Sequence, residues 1–193
     1  MAEAAPHARH YQGSLEFITD NEHRKLRPIG VTAREVATRT TALLTEVIRL
    51  PGVQVFLGSR PAGTDLPPVS HTICAGRRLV LIESVAWPPG HYETTADGRV
   101  HCDGVYIGQS VSTLSATART WQELLSRGHQ VSSVVVVHPT SNGEVVLPQQ
   151  MPAQPSWVHP GEAVGRIMRF VHGRRQTISR NTIRALAAGC LDA

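Results

Sequence analysis

The stretch that most constrains what this chain can fold into is residues 70–87, Ser-His-Thr-Ile-Cys-Ala-Gly-Arg-Arg-Leu-Val-Leu-Ile-Glu-Ser-Val-Ala-Trp. It reads as two strands, 69–75 and 79–85, joined by a tight turn at Gly76-Arg77-Arg78. The second strand opens on four consecutive apolar residues, Leu79 to Ile82, the pattern of a strand covered on both faces. It then places Glu83 where the pattern asks for another core residue. A carboxylate there has to be paired, coordinated or reprotonated. Either the strand emerges into water at Glu83, or Glu83 is a functional acid inside the fold.

Length and composition narrow the class. A chain of 193 residues is long enough for one domain with a sizeable core and an extension. Its 41% hydrophobic and 18% charged residues are ordinary for a globular protein. No apolar run reaches the length of a membrane span, and the N-terminus lacks the apolar core of a secretory signal. Three scattered cysteines, Cys74, Cys102 and Cys190, fit reduced thiols and a cytoplasmic setting better than a disulfide framework. The formal charge of +4 and pI near 9.4 suit an acidic partner. Lys25 is the only lysine among nineteen basic residues. Any chemistry needing a lysine in the core must use it or do without.

Taken in order, residues 1–30 are polar, rich in His and Arg and without periodicity, and read as an extension. Its histidines, His7, His10 and His23, read as solvated. Thr32 and Glu35 form a capping box ahead of a helix carrying Val36, Leu43, Leu44, Val47 and Ile48 on one face, ended by Pro51-Gly52. Glu46 lies at the edge of that stripe. A strand at 53–57, a loop at 58–68 holding Asp65, and the strand pair follow. Residues 91–103 form a hairpin insertion around Asp97-Gly98. His91, His101 and Cys102 in it lack zinc-ligand spacing. Gln109 precedes a second helix at about 112–127, and 131–137 is a nearly continuous apolar strand. A short strand at 144–147 and a proline-rich connection at 148–157 lead to two further helices, starting near Pro160 and at about 178–191. That C-terminal part, 151–193, reads as a basic helical segment packed on the core. Its arginines Arg166, Arg169, Arg174, Arg175, Arg180 and Arg184 face only Glu162 and Asp192.

Periodicity alone gives an alternation of helices and strands, an α/β class. No G-x-S-x-G elbow, G-x-G-x-x-G turn or Walker sequence is present. Ser70 and His71 are neighbours on a strand, so their side chains diverge and offer no nucleophile–base pair.

The order helix, three strands, insertion, helix, strand, with an acid near the end of the third strand, resembles the core of the PD-(D/E)XK nucleases. It resembles more closely the nuclease-related domain found in bacterial proteins. That family carries Asp-His on one strand and Glu-x-Lys on the next, then an aromatic and a glycine, with a glutamine before the following helix. Here those positions read Ser70-His71, Glu83-Ser84-Val85, Trp87, Gly90 and Gln109. The resemblance covers about residues 32–147, inside a core domain of 31–150.

It implies a mixed central sheet flanked by helices and a site acting on DNA or RNA. Two acids would hold Mg²⁺ beside the scissile phosphate and a lysine would position the attacking water. This chain departs from that pattern at both supporting positions, Ser70 for the aspartate and Val85 for the lysine. On an active reading Glu83 binds the metal with Glu46 or Asp65, with Asp103 as a further replacement acid. His71 touches phosphate or water and Gln109 orients it. Ser70, Trp87, Arg78, Arg174 and Arg175 meet the substrate. On the competing reading the chain is an inactive nuclease fold acting as a protein-interaction module. Glu83 is then a structural acid satisfied by backbone or by arginine, and Trp87 with Pro88-Pro89-Gly90 shapes a protein-binding edge.

Overall fold

Strict alternation of side chains along the apolar strands settles the layering. In the computed structural model, which describes residues 11–20, 24–125, 127–172 and 177–190, the order along the chain is β1 (Tyr11–Gly13), α1 (Ala33–Leu43), α2 (Thr45–Ile48), β2 (Val53–Ser59), β3 (Val69–Ala75), β4 (Arg78–Trp87), β5 (Gly90–Thr94), β6 (Arg99–Cys102), β7 (Val105–Ser110), α3 (Ser112–Leu124), β8 (Gln130–Pro139), β9 (Val145–Val146), β10 (Ser156–Val158), α4 (Pro160–Val171) and α5 (Arg180–Ala188). The fold is mixed α/β. A six-stranded sheet runs β1-β2-β3-β4-β8-β10 and a four-stranded sheet runs β7-β6-β5-β9.

In the large sheet, β3 is antiparallel to both β2 and β4, and β8 lies parallel to β4. The β4–β8 ladder, from Arg78 against Gln130 to Trp87 against Pro139, is its spine. A parallel pair cannot be joined by a tight turn. The chain therefore leaves β4, builds the small sheet, and returns through α3.

β4 divides its side chains between two layers. Leu79, Leu81, Val85 and Trp87 face one cluster with Leu114 and Trp121 of α3 and Leu186 of α5. Val80 and Ile82 face the other, with Val47 of α2 and Ala163, Ile167 and Val171 of α4. Each such side chain fully removed from water contributes about 1.5–3 kcal/mol, so the central strands anchor both layers at once. The capping box at Thr32 forms as its sequence predicts: the Glu35 N–H donates to Thr32 Oγ1 at 3.2 Å, and the Thr32 N–H donates to Glu35 Oε2 at 2.8 Å.

Three segments differ from the sequence expectation. The extension contributes Tyr11–Gly13 as an edge strand parallel to β2, three residues being too short for periodicity to register. The proline-rich connection contains β10, parallel to β8, where Ser156, Trp157 and Val158 are all buried. The first helix breaks at Leu44 into α1 and the single turn α2. His7, His10, His23, Arg174 and Arg175 lie outside the described residues. No helix among the described residues is long and apolar enough to cross a membrane.

The N-terminal strand is seated tightly. Gly58 in β2 has φ +60, and a Cβ built there would stand 2.4 Å from the Ser14 carbonyl oxygen. Gly58→Ala is therefore expected to destabilise the fold by about 1–3 kcal/mol from the backbone conformation alone, with the clash adding to it. Urea denaturation measures this. An unchanged midpoint would mean that Gly58 does not keep its positive φ beside Ser14 in solution.

Candidate functional site

Glu83 does not emerge into water. It is 6% exposed and points from β4 into the α3 layer, where Thr113, Leu114 and Thr117 line a cleft with it. The opposite wall is residues 24–26 of the N-terminal segment, and Pro67 and Pro68 close the end. Arg24 crosses the cleft and its Nη1 donates to Glu83 Oε2 in a buried ion pair, both side chains being under a tenth exposed. Arg24 Nη2 donates to the Pro68 carbonyl at 2.8 Å. The other carboxylate oxygen, Oε1, accepts the Ser70 N–H at 3.1 Å. Burial pushes the Glu83 carboxyl up, while the Arg24 guanidinium and the Ser70 N–H pull it back in part.

Residues 24–29 form a strap held along its length. The Ser110 N–H donates to the Lys25 carbonyl (3.0 Å), and the Ile29 N–H to the Ala86 carbonyl (2.7 Å). The Arg27 N–H donates to Gln109 Oε1 (3.1 Å). Lys25 lines the same cleft as Glu83 and is exposed. The one lysine therefore stands on the strap at the cleft wall, not on β4. The position after Glu83-Ser84 is Val85, fully buried in the core.

His71 is fully buried and lies on the other side of the sheet. The Ser70 hydroxyl donates to the Ile82 carbonyl (2.6 Å), so it accepts from His71 Nδ1–H (3.2 Å). His71 Nε2 lies 2.8 Å from the Thr41 hydroxyl of α1, which also donates to the Ala37 carbonyl at 3.1 Å. A second buried group stands beside it on that face. Thr40 Oγ1 contacts Ser84 Oγ at 2.7 Å and His138 Nε2 at 2.9 Å. Burial pushes His71 down to about 3 and His138 down to about 4.

Several expected roles are corrected by these positions. His71 does not reach a phosphate or a water at Glu83: it is buried, neutral, and bonded toward α1. Ser70 is 1% exposed and spends its hydroxyl on the neighbouring strand. Trp87 lies in the core and shapes no exposed edge. It is fully buried, stacked on Tyr92 at 4.3 Å and tilted against Trp157 at 5.2 Å. Gln109 is 4% exposed and orients the strap. Arg78 closes the end of α4, donating to the carbonyls of Phe170 (2.6 Å) and His172 (2.8 Å), a favourable place for a cation. Glu46 and Asp65 are exposed and neither lines the cleft. Asp103 accepts the His91 N–H at the hairpin (3.0 Å).

Mg²⁺ asks for near-octahedral oxygen donors at about 2.0–2.1 Å, and this cleft does not suit it. Glu83 is the one acid lining it among the described residues, and one of its oxygens already holds a fixed cation. Among the described residues no three His, Cys, Asp or Glu side chains group closely enough to hold a metal ion.

Sequence reasoning missed Arg24, Thr40, Thr41 and His138. The signal for Arg24 was Glu83 itself, since a buried acid demands a cation, but a partner 59 residues away cannot be named from spacing. The chain matches no protein-family model, no curated protein and no solved structure.

Two outcomes follow from this geometry. Arg24→Ala strands a buried carboxylate and is expected to cost about 3–5 kcal/mol, whereas Arg24→Met with Glu83→Leu recovers most of that loss. Denaturant titration of the three proteins checks this, and a mild single-variant effect would mean the pair is solvated. The histidines set an acid limit. Their folded pKa values lie below the unfolded value near 6.5, so their contribution is full above pH 6.5. Below that, the unfolded chain binds the extra protons, and stability falls by up to about 1.4 kcal/mol per pH unit for each histidine until the folded value is reached. His71→Gln is expected to flatten the stability profile between pH 6.5 and 4, and a slope unchanged from wild type would refute that assignment.

Proposed function

We propose that the chain is a divergent nuclease-related fold that binds nucleic acid and has lost metal-dependent phosphodiester cleavage. One observation carries the loss: the acid at the Glu-x-Lys position is closed by Arg24 and the Ser70 N–H. The residue in the lysine position, Val85, is fully buried core. The order of a helix, three antiparallel strands, a crossover with an insertion, and a strand parallel to the third supports the nuclease-related reading. The net charge of +4 supports a polyanionic partner.

A second reading, an inactive fold serving as a protein-interaction module, is favoured by the tip between β6 and β7. Val105 and Tyr106 there are 67% and 50% exposed.

Labelled single- and double-stranded DNA and RNA, incubated with the protein and Mg²⁺ or Mn²⁺ or with chelator, separate these readings. Binding that weakens steeply with salt, with no metal-dependent cleavage, is the expected result. Cleavage abolished by Glu83→Gln would overturn the loss of activity. Absence of binding to every oligonucleotide would favour the interaction module, with the β6–β7 tip as its first candidate surface.

A further inference from the structure

A second polar pocket opens far along β4 from Glu83, between the turn after β3 and the loop leading into β8. It is lined by Arg77, Arg78, Gly128 and Gln130, is open to solvent, and has a volume of about 210 Å³, room for several waters or a small anion. We propose that this pocket is a phosphate site in which the Arg77 and Arg78 guanidiniums receive the anion. This deepens the nucleic-acid reading by naming where a backbone phosphate docks, and the pocket can also be tested without any oligonucleotide.

The argument rests on how the two arginines are held. Arg78 is tethered by the carbonyls of Phe170 and His172 through one nitrogen, Nη1, and lies 6.0 Å from the Phe170 ring centre. Its position is therefore fixed, while Nη2 and Nε are not used in those two bonds. Arg77 lies across the β8 loop, with Nη1 3.0 Å from where a Gly128 side chain would begin. Gly128 has φ +93, so its bare backbone gives the guanidinium room. The Gln130 N–H donates to the Arg77 carbonyl at 2.9 Å, which ties the turn to the loop.

The electrostatics point the same way. Both arginines line the pocket, and the α4 carboxyl-end carbonyls offset Arg78 alone. Among the described residues no carboxylate lines the pocket, and neither arginine is in an ion pair. A planar fork of N–H donors matches phosphate oxygens, and an ammonium does not reproduce that match. The ligand class is thus a phosphate group, supplied either as free phosphate or by a polynucleotide backbone.

Two arms distinguish these sources. Titration of the ¹⁵N-labelled protein with inorganic phosphate is expected to shift the amide signals of Arg77, Gly128 and Gln130, and Arg77→Gln is expected to abolish those shifts. Arg77 is an exposed turn residue, so this variant keeps the fold. With a duplex oligonucleotide, the slope of log K against log salt is expected to fall by about 0.9 in Arg77→Gln, one phosphate contact. Arg34→Gln, at an exposed arginine of α1 paired with Glu16, is expected to leave the slope unchanged.

Equal losses in the two variants would reduce the effect to net charge and overturn the site. If no oligonucleotide binds but phosphate shifts these amides, the pocket stands as a free-phosphate site and the nucleic-acid reading falls. If oligonucleotides bind while phosphate leaves these amides unmoved and Arg77→Gln binds normally, the pocket falls and that reading stands. Phosphate shifts that Arg77→Gln leaves intact would also overturn it.

Discussion

A carboxylate in the interior needs a counter-charge, and the way this chain supplies one shapes its functional side. Glu83 sits in mid-strand on β4, flanked on its own face by Leu81 and Val85, both fully buried. Water cannot solvate it there, and the penalty for an unpaired ion amounts to several kcal/mol. The cation comes from Arg24, carried by a segment that would otherwise be surface tail. Docking that arginine draws residues 24–29 across the cleft, where Gln109, Ser110 and Ala86 hold the strap in register. The ion pair is a poor source of net stability, since the upward push on Glu83 means desolvation outweighs its partners. What it supplies is specificity: one register of the strap satisfies the acid, and a shifted one strands it.

The two faces of the sheet use polar groups differently. On the α3 face one charged pair is neutralised internally. On the α1 face His71, Ser70, Thr41, Thr40, Ser84 and His138 form neutral contacts between helix and strands. Neutral networks avoid the ionic desolvation cost but work only while both imidazoles stay unprotonated, which burial enforces. Polar residues of the motif-like stretch therefore leave on opposite faces. Ser70 is the link, because its N–H serves Glu83 while its hydroxyl accepts from His71. Contiguity in sequence at Ser70-His71 thus does not assemble one reactive centre.

The parts of this arrangement legible in the sequence are those written in local chemistry. The capping box at Thr32, the apolar run 79–82, the Asp97-Gly98 turn and the apolar 131–137 strand all announce their structure within a few residues. So does the anomaly of Glu83, whose satisfaction by backbone and arginine was one of the two fates its position allowed. What was illegible depends on distance along the chain. β1 and β10 are three residues each and exist only because a neighbouring strand offers its edge. Trp87 and Arg78 look like surface chemistry in sequence, an aromatic before Pro-Pro and a pair of turn arginines. Their roles are set by Tyr92 and Trp157 in one case and the end of α4 in the other.

Charge counting explains why an arginine, and not a divalent ion, is the natural companion of Glu83 here. The cleft holds a single negative charge among its described residues, that of Glu83. A divalent cation placed against it would leave one positive charge unbalanced in a low-dielectric wall. It would also lack most of the oxygen donors it needs, because the Ser70 hydroxyl is committed to the Ile82 carbonyl. A guanidinium brings one positive charge, matches one carboxylate, and extends a second N–H to the Pro68 carbonyl. It also arrives with its own hydrocarbon stem, in a cleft that Leu26, Val69 and Leu114 also line. An apolar Val85 fits this balance, since a cation at that place on β4 would compete with Arg24 for one acid. Serine, valine and arginine at positions 70, 85 and 24 are therefore mutually consistent, and an acid at 70 or a lysine at 85 would add a buried charge without a partner.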